Sequence, residues 1–420
     1  MDRDAVEAPG GASPAAAQGP RGRDLGVVIG RGSPGPANAI TDVAGVRVGH
    51  ATLIRGDGPL VVGHGPVRTG VTIVLPHDGD PWLEPVFAGS FTLNGNGELT
   101  GLEWIAEAGL LHGPIGITNT RSVGTVRDAI AAHGERAHPE GAIAWALPVA
   151  GETYDGLLSD IAGAHVRPEH VDSAIAAAEA SPLGGAVAEG NVGGGTGMVC
   201  HEFKGGIGTA SRRLTAEAGG WTVGILVQAN YGRRELLRID GVPVGEAIPT
   251  TEVPSPWDQL EALDGRHGTA LAAAHDSGSI IGIVATDAPL LPHQCRRLAR
   301  RAALGLARTG GLGSTSSGDL FLCFATGNRG LQPAEERGVT LPGERPGVIP
   351  VRTLADPALD PLIEATVEAT EEAIVNALVA AETMTGRDDI TAHRLPHDRL
   401  RAVMAGAGRL RGSAPLRGSA

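Results

Sequence analysis

The most informative stretch of the chain is the turn His275-Asp276-Ser277-Gly278, which runs into Ser279-Ile280-Ile281-Gly282-Ile283-Val284-Ala285-Thr286. The β-branched apolar run predicts a buried strand that begins at Ser279. If the Gly278–Ser279 peptide bond were cut, the serine would become an amino terminus, and its own amine can act as base for its hydroxyl. The alternative is that Ser279 only begins a strand. Local sequence leaves both interpretations open.

The composition is that of a globular protein and argues against several kinds of partner. Of the 420 residues, 42% are hydrophobic and 19% are charged, and the net charge is −13. Nucleic acid is a poor candidate because the chain has no basic face and only 3% aromatic residues for stacking. We expect no membrane partner, since no run of about 18 apolar residues is present. Three widely spaced cysteines favour a reducing compartment, and the expected location is the cytoplasm.

Strand and helix patterns alternate along the chain and predict a layered α/β protein. The predicted strands are 24–29, 46–48, 70–75, 115–118, 143–147, 222–229, 236–239, 279–286 and 320–325. The predicted helices are 99–107, 123–133, 168–180, 289–306 and 360–385.

Three segments are predicted to lie outside the regular structure. Residues 1–23 are rich in Ala, Pro and Gly without the apolar stretch of a secretory signal, so we expect a disordered tail. Residues 404–420 are expected to form a flexible tail at the other end. A long, weakly periodic connection over 243–275 precedes Ser279, and such connections tolerate cutting.

Two features that invite a cofactor interpretation do not support one. The glycine-rich segment 191–197 is followed by no Gly-Lys-Ser/Thr, and it lacks the strand, helix and acidic residue of a dinucleotide site. We expect it to pack tightly beside a site instead. The fourteen histidines form no HxxxH or HExxH pair. The sequence therefore predicts no metal and no cofactor.

Polar residues at predicted strand ends are candidates for chemistry. Ser317 and Asp319 share one face of an extended segment and can act as a relay, although a turn capped by the aspartate is the alternative. Asn230 ends the 222–229 strand, where its amide can donate to an oxyanion or cap a turn. Glu152 and Tyr154 are also two residues apart. The carboxylate can hold a substrate ammonium and the phenol can donate, or both are ordinary loop residues.

Further motifs occur in order along the chain. They are NAITDV at 38–43, PVRTGVT at 66–72, LNGNGE at 93–98, GGGTG at 193–197, FKGG at 203–206, ATDAPL at 285–290 and SGD at 317–319. Together they resemble the L-aminopeptidase/D-esterase (DmpA-like) family, which includes the β-aminopeptidases. The resemblance runs from residue 24 to about residue 401. It implies a four-layer αββα sandwich like that of the amino-terminal nucleophile hydrolases, formed as a single large domain.

The resemblance also implies a precursor that cuts itself between Gly278 and Ser279. The products would be a larger subunit of residues 24–278 and a smaller one of residues 279–403, assembled as a homo-oligomer of processed pairs. The enzyme would be a serine aminopeptidase, or amidase and esterase, that releases N-terminal amino acids from short peptides, amides or esters through an acyl-enzyme. The implied roles are Ser279 as nucleophile, Ser317 as accessory hydroxyl, Asp319 as acid, Asn230 and Tyr154 as oxyanion donors, and Glu152 as the anchor for the substrate amine.

Several points stay open at this level. Asp319 is one methylene shorter than the glutamate that the resemblance implies, so we expect it to reach less far, and the run 314–317 offers several hydroxyls beside it. The base can be the α-amine of Ser279 or the Ser317–Asp319 pair. The alternatives to hydrolysis are an acyltransferase of the same type and a non-catalytic amine-binding protein that stays uncut.

Overall fold

Two β-sheets lie face to face at the centre of this computed structural model, which describes residues 19–139, 141, 147–264, 278–331 and 347–411. One sheet has four strands in the order β1-β2-β5-β6, and the other has six in the order β4-β3-β12-β11-β10-β9. The strands of the two sheets are β1 (Arg47–Arg55), β2 (Val67–Leu75), β3 (Val86–Gly95), β4 (Leu110–Leu111), β5 (Ile115–Asn119), β6 (Val149–Thr153), β9 (Gly206–Arg213), β10 (Thr222–Asn230), β11 (Ser279–Thr286) and β12 (Gly318–Ala325). Two small hairpins pair β7 (Val199–Cys200) with β8 (Phe203–Lys204), and β13 (Met384–Thr385) with β14 (Thr391–Ala392).

Helices cover the outer face of each sheet. The described α-helices are α1 (Leu102–Ala108), α2 (Val123–Ala137), α3 (Pro168–Ala180), α4 (Val244–Ala247), α5 (Pro256–Asp264), α6 (Pro292–Arg308), α7 (Asp360–Ala380) and α8 (His397–Gly406). Helices α2 and α3 pack on the four-stranded sheet, and α6 and α7 pack on the six-stranded sheet. None of the described helices combines the length and the apolar character needed to cross a membrane.

Three apolar cores separate the resulting four layers, and this confirms the predicted αββα sandwich. Strand β11 shows how the sequence produces two of them. Ile281 and Ile283 belong to the core between the sheets, whereas Ile280 and Val284 face the helices on the other side. Because both faces of the sheet are covered, the strand is apolar along its whole length rather than alternating.

Most of the predicted elements are confirmed, and two predicted strands are wrong. The helix predicted over 168–180 has the bounds of α3, and the strand predicted over 279–286 has those of β11. Residues 22–25 form a 3-10 helix instead of a strand, closed by Gly26 in the left-handed region with φ 81°. Residues 236–239 form no strand. A single bridge joins Ile239 to Val242 across the Asp240-Gly241 turn.

The ordered structure extends beyond both predicted tail boundaries. Arg21 donates hydrogen bonds to the carbonyl oxygens of Ala37 and Asn38, so the packed chain includes residues that were assigned to the tail. At the other end, helix α8 runs to Gly406 and Leu410 forms a bridge with Val27. The predicted connection over 243–275 contains helices α4 and α5. Residues 1–18, 143–146, 265–277 and 412–420, on which the remaining tail, strand and connection predictions fall, lie outside the described residues.

Candidate active site

The ends of three neighbouring strands bring the candidate residues together. Ser279, the first residue of β11, pairs with Asn230 at the end of β10 and with Gly318 at the start of β12. The β10–β11 pairing is antiparallel and the β11–β12 pairing is parallel, so one strand end and two strand beginnings meet at the same edge of the sheet. The apolar runs that follow fix this register, because a one-residue slip would turn every buried side chain to the wrong face.

Ser279 is 8% exposed, and its hydroxyl oxygen accepts a hydrogen bond from the Gly318 amide at 3.1 Å. The preceding Gly278 is packed against the backbone of the neighbouring strand. A Cβ on Gly278 would lie 2.3 Å from the Cα of Tyr231 and 2.7 Å from the carbonyl oxygen of Asn230. Only glycine fits this approach, and it places the Gly278–Ser279 peptide beside the end of β10.

Ser317 and Asp319 form the hydrogen-bonded pair that their spacing predicts. The Ser317 hydroxyl donates to Oδ2 of Asp319, and both residues are buried. The aspartate therefore reaches its partner despite its short side chain. Burial raises the pKa of the Asp319 carboxyl to about 6, although the hydrogen bond from Ser317 opposes that shift. The carboxylate is ionised at neutral pH but close to titrating.

Two asparagines that the sequence analysis gave no role hold the turn before this pair. The Asn94 amide donates to the carbonyl oxygen of Ser314 at 2.8 Å, and the Asn96 amide donates to that of Ser316 at 2.7 Å. These contacts secure the run of hydroxyl residues so that Ser317 meets Asp319. The LNGNGE motif at 93–98 was the available signal, but its partners lie more than 200 residues away in the chain.

Asn230 is held by two hydrogen bonds at the end of β10. Its Oδ1 accepts from the Val199 amide at 2.8 Å, and its Nδ2 donates to the carbonyl oxygen of Tyr154 at 3.0 Å. An amide NH2 has two donors, so one N–H of Asn230 is left over from these contacts. The arrangement fits an oxyanion donor, because the acceptor side of the amide is already occupied and its orientation is set.

Tyr154 follows β6 and is 37% exposed at the pocket described below. Partial burial raises the pKa of its phenol, with the Arg387 guanidinium opposing that shift. The phenol therefore stays protonated at neutral pH and can donate a hydrogen bond.

Glu152, on β6, is buried, and each of its carboxylate oxygens accepts a hydrogen bond. The Glu98 amide donates to Oε1 at 2.9 Å, and the Thr120 hydroxyl donates to Oε2. Burial raises the pKa of Glu152, and the negative charge of Glu98 adds to that effect. Thr120 was missed by the sequence analysis, because nothing in its surroundings marks it out.

The sheet sandwich places Glu152 close to the nucleophile strand. A Cβ on Gly151 would lie 3.3 Å from the Ile281 side chain, so β6 crosses over β11. A Cβ on Gly97 would lie 3.2 Å from Oε1 of Glu152 and 3.1 Å from the Cα of Gly318. Gly97 thus separates the carboxylate from the residue whose amide binds Ser279, and a side chain there would fill the gap between them.

A pocket of about 670 Å³, including open solvent, joins these groups. Five of the predicted residues line it, namely Tyr154, Asn230, Gly278, Ser317 and Asp319. Leu157, Val199 and Trp257 supply apolar walls. Ser279 adjoins the pocket through Gly278, and Glu152 lies behind Gly97 rather than in the lining. Within the described residues, no group of three or more His, Cys, Asp or Glu side chains is arranged to hold a metal ion.

Comparisons with known proteins identify the family of this chain. The sequence profile of peptidase family S58 matches residues 38–392. A β-peptidyl aminopeptidase BapA from Sphingosinicella microcystinivorans is 50% identical over 393 residues, which cover 94% of each chain. The structure of a Burkholderia sp. β-aminopeptidase is 51% identical with a TM-score of 0.80, and the match covers 92% of this chain and 99% of that one.

A second solved structure describes the architecture. The L-aminopeptidase D-Ala-esterase/amidase from Ochrobactrum anthropi is 41% identical with a TM-score of 0.80, over 93% of this chain and 99% of that one. That protein is described as a prototype for the serine aminopeptidases and as a variant of the Ntn hydrolase fold. This chain therefore belongs to peptidase family S58 and is an aminopeptidase with an Ntn-type hydrolase fold.

Proposed function

We propose that the chain is a self-cleaving serine aminopeptidase whose nucleophile is Ser279. One observation carries the proposal. Ser279 lies at the head of an interior strand, paired with Asn230 on one side and with the strand that carries Asp319 on the other, and its hydroxyl accepts from the Gly318 amide. A nucleophile, an oxyanion donor and a hydroxyl–carboxylate pair are the groups that acyl transfer needs.

In the precursor, the Ser279 hydroxyl attacks the carbonyl carbon of Gly278. The Gly278 acyl group moves from the Ser279 nitrogen to its oxygen, and a proton passes to the nitrogen. Water then hydrolyses the ester, leaving Gly278 with a free carboxylate and Ser279 with a free amine and its hydroxyl restored. The close packing of Gly278 against the end of β10 supports this step, because it holds the scissile peptide beside the Asn230 strand end.

In the mature enzyme, the Ser279 hydroxyl attacks the carbonyl of a substrate amide or ester. The Asn230 amide and the Tyr154 phenol stabilise the oxyanion, the leaving amine or alcohol takes a proton, and water releases the acid from the acyl-enzyme. The base is either the α-amine of Ser279 or the Ser317–Asp319 pair. The raised pKa of Asp319, about 6, suits that pair to accept a proton near neutral pH.

The proposed substrates are short peptides, amides or esters with a free amino group. Glu152 supports this choice because it is a buried carboxylate without a basic partner among the ion pairs of the described residues. A substrate ammonium would supply the missing positive charge. The named activities of the relatives, on β-peptidyl, L-amino acid and D-Ala ester substrates, fall within the same class.

Two broader features complete the proposal. A homo-oligomer of processed pairs is supported by the exposed apolar residues Ile54, Val61 and Val62, which lie near one end of the four-stranded sheet. A cytoplasmic location is supported by the three cysteines, which are all free and buried. Light scattering of the cut protein and fractionation of cells test these features. A monomer would contradict the proposed homo-oligomer. Recovery of the protein outside the cytoplasm would contradict the proposed location.

The deciding experiment compares wild type with Ser279→Ala by intact mass spectrometry and by hydrolysis of an aminoacyl p-nitroanilide. We expect wild type to give two fragments, the smaller beginning with Ser279. We expect the variant to stay in one piece and to lose at least ~10⁴-fold in kcat/KM, as nucleophile removal does elsewhere. Ser314→Ala is the matched control and should be cut normally. An uncut wild-type chain with full activity would overturn the scheme.

A further inference from the structure

The FKGG motif contains a lysine that the proposed mechanism does not use. Lys204 is fully buried on β8, and no described carboxylate forms an ion pair with it. Its ammonium donates instead to three carbonyl oxygens, those of Met198 and Gly205 at 2.8 Å and that of Gly195 at 3.3 Å. These acceptors use all three N–H donors of the side chain.

Burying a cation without a counter-ion is unfavourable, and an apolar side chain of similar length would avoid the loss. Desolvation lowers the pKa of Lys204 to about 7, so the charged ammonium form predominates below that pH. The position of Lys204 beside the candidate oxyanion site suggests a role for its charge.

The contact with Met198 leads directly to the oxyanion site. The carbonyl of Met198 and the amide N–H of Val199 belong to one peptide group. The carbonyl accepts from Lys204 at 2.8 Å, and the N–H donates to Oδ1 of Asn230 at 2.8 Å. Ammonium, peptide group and side-chain amide therefore form one continuous hydrogen-bond chain. Each donor in such a chain polarises the next, by about 10–30% per bond.

We propose that Lys204 is a positioning residue for catalysis, whose ammonium acts through the Met198–Val199 peptide to orient and polarise the Asn230 amide toward the oxyanion. The inference rests on the proposed function, since it assigns Asn230 to the oxyanion. A positive charge at one end of the chain strengthens the N–H donors at the other. The benefit grows as negative charge develops on the substrate oxygen, so it falls on kcat rather than on KM.

The test is a double-mutant cycle of Lys204→Met and Asn230→Ala, with an aminoacyl p-nitroanilide as substrate and turnover expressed per released Ser279 terminus. We expect Lys204→Met to lower kcat about tenfold with KM changed less than about twofold. In the Asn230→Ala background the same change should lower kcat less than about twofold, because the group through which the lysine acts is gone. Lys204→Arg, which keeps the charge, should retain more activity than Lys204→Met.

Cys200→Ala is the matched control, since it alters packing beside Lys204 without interrupting the hydrogen-bond chain, and it should keep kcat near wild type. If a variant cuts itself slowly, its rate of self-cleavage is compared in the same double-mutant cycle. This is valid because attack on the Gly278 carbonyl also places negative charge on a carbonyl oxygen. Thermal melting confirms the fold of each variant, and Lys204→Gln serves as a second neutral replacement.

Three results would overturn the inference: an unchanged kcat in Lys204→Met, fully additive losses in the double variant, or failure of both neutral variants to fold, which would make the lysine a purely structural residue. Each of them leaves the proposed function standing if wild type cuts itself and hydrolyses the substrate. An inactive, uncut wild type would remove the proposed function first.

Discussion

The two sheets contribute to the site in different ways. The six-stranded sheet supplies Ser279, Asn230 and Asp319 from three adjacent strands, and their relative positions follow from backbone pairing. The four-stranded sheet supplies Glu152 and Tyr154 from the end of β6, which meets the first group only because the sheets pack face to face. Under the proposed function, one sheet would carry the bond-breaking groups, and the other would carry groups that recognise the substrate and help to hold the oxyanion.

The two carboxylates of the site, Asp319 on the six-stranded sheet and Glu152 on the four-stranded sheet, lie in different environments. Asp319 accepts a hydrogen bond from a neighbouring side chain, the Ser317 hydroxyl, and burial raises its pKa to about 6. Burial raises the pKa of Glu152 too, but this carboxylate is fixed by a backbone amide as well as by the Thr120 hydroxyl. A carboxylate close to titrating suits proton transfer, whereas one held rigidly suits binding of a cation. Variants of the two should therefore change different kinetic constants.

Asp319→Asn should have the largest effect of the substitutions that test this comparison. The asparagine oxygen can still accept a hydrogen bond from Ser317 but cannot take up its proton, and we expect kcat to fall about 10²–10³-fold with a small change in KM. In wild type, kcat should also fall as the pH drops through about 6, because the raised pKa of Asp319 lets it protonate there. A pH profile of kcat checks both expectations.

Ser317→Ala sharpens this prediction. The hydrogen bond from Ser317 lowers the pKa of Asp319. In the Ser317→Ala variant, the fall of the remaining kcat at low pH should therefore begin at a higher pH than in wild type. An Asp319→Asn enzyme with the wild-type acid limb would show that another group titrates. In that case the α-amine of Ser279 would be the better candidate for the base.

Glu152→Gln should act mainly on substrate binding. Removing the charge that pairs with the substrate ammonium should lower kcat/KM about 10²-fold, mostly through KM. Self-cutting should proceed at the wild-type rate, because the precursor presents no free amine at the site. Hydrolysis assays with free and N-acetylated substrates measure the effect, and the variant should lose the preference for the free amine.

Thr120→Val is the matched control for Glu152. It removes the hydrogen bond to Oε2 but leaves the carboxylate in place, so the preference for a free amine should persist. Equal losses on free and acetylated substrates in Glu152→Gln would contradict an ammonium-binding role. They would place the carboxylate among the residues that merely support the site.

Tyr154→Phe should have the smallest effect. The phenol is one neutral donor at a partly exposed position, and a single such hydrogen bond contributes about 0.5–1.5 kcal/mol, or roughly 2–13-fold in kcat. Asn230 should compensate for most of its loss. Steady-state kinetics on one ester and one amide provide the measurement. A loss as large as that of Asp319→Asn would mean that the division between the sheets is wrong.

The sequence was informative where a local pattern decides the outcome. The apolar run after Ser279 gave the bounds of β11, and the spacing of Ser317 and Asp319 gave their hydrogen bond. It failed where packing overrides local preference. Residues 24–29 have strand-like side chains, yet the segment from Gly22 to Leu25 is a 3-10 helix. There Arg21 and Arg23 bind groups far along the chain, including Glu189 and Glu372.

The residue patterns by themselves determined a layered α/β class, the strand that begins with Ser279 and the candidate side chains, because periodicity and spacing act within a few residues. The four-layer αββα arrangement was implied by the resemblance to the L-aminopeptidase/D-esterase family. Only the tertiary structure decided that Asn94 and Asn96 hold the turn before Ser317, that Thr120 binds Glu152, and that Lys204 connects to Asn230 through one peptide group. The physical reason is that these contacts join segments whose separation along the chain carries no local signal, and they form only once the sheets have packed.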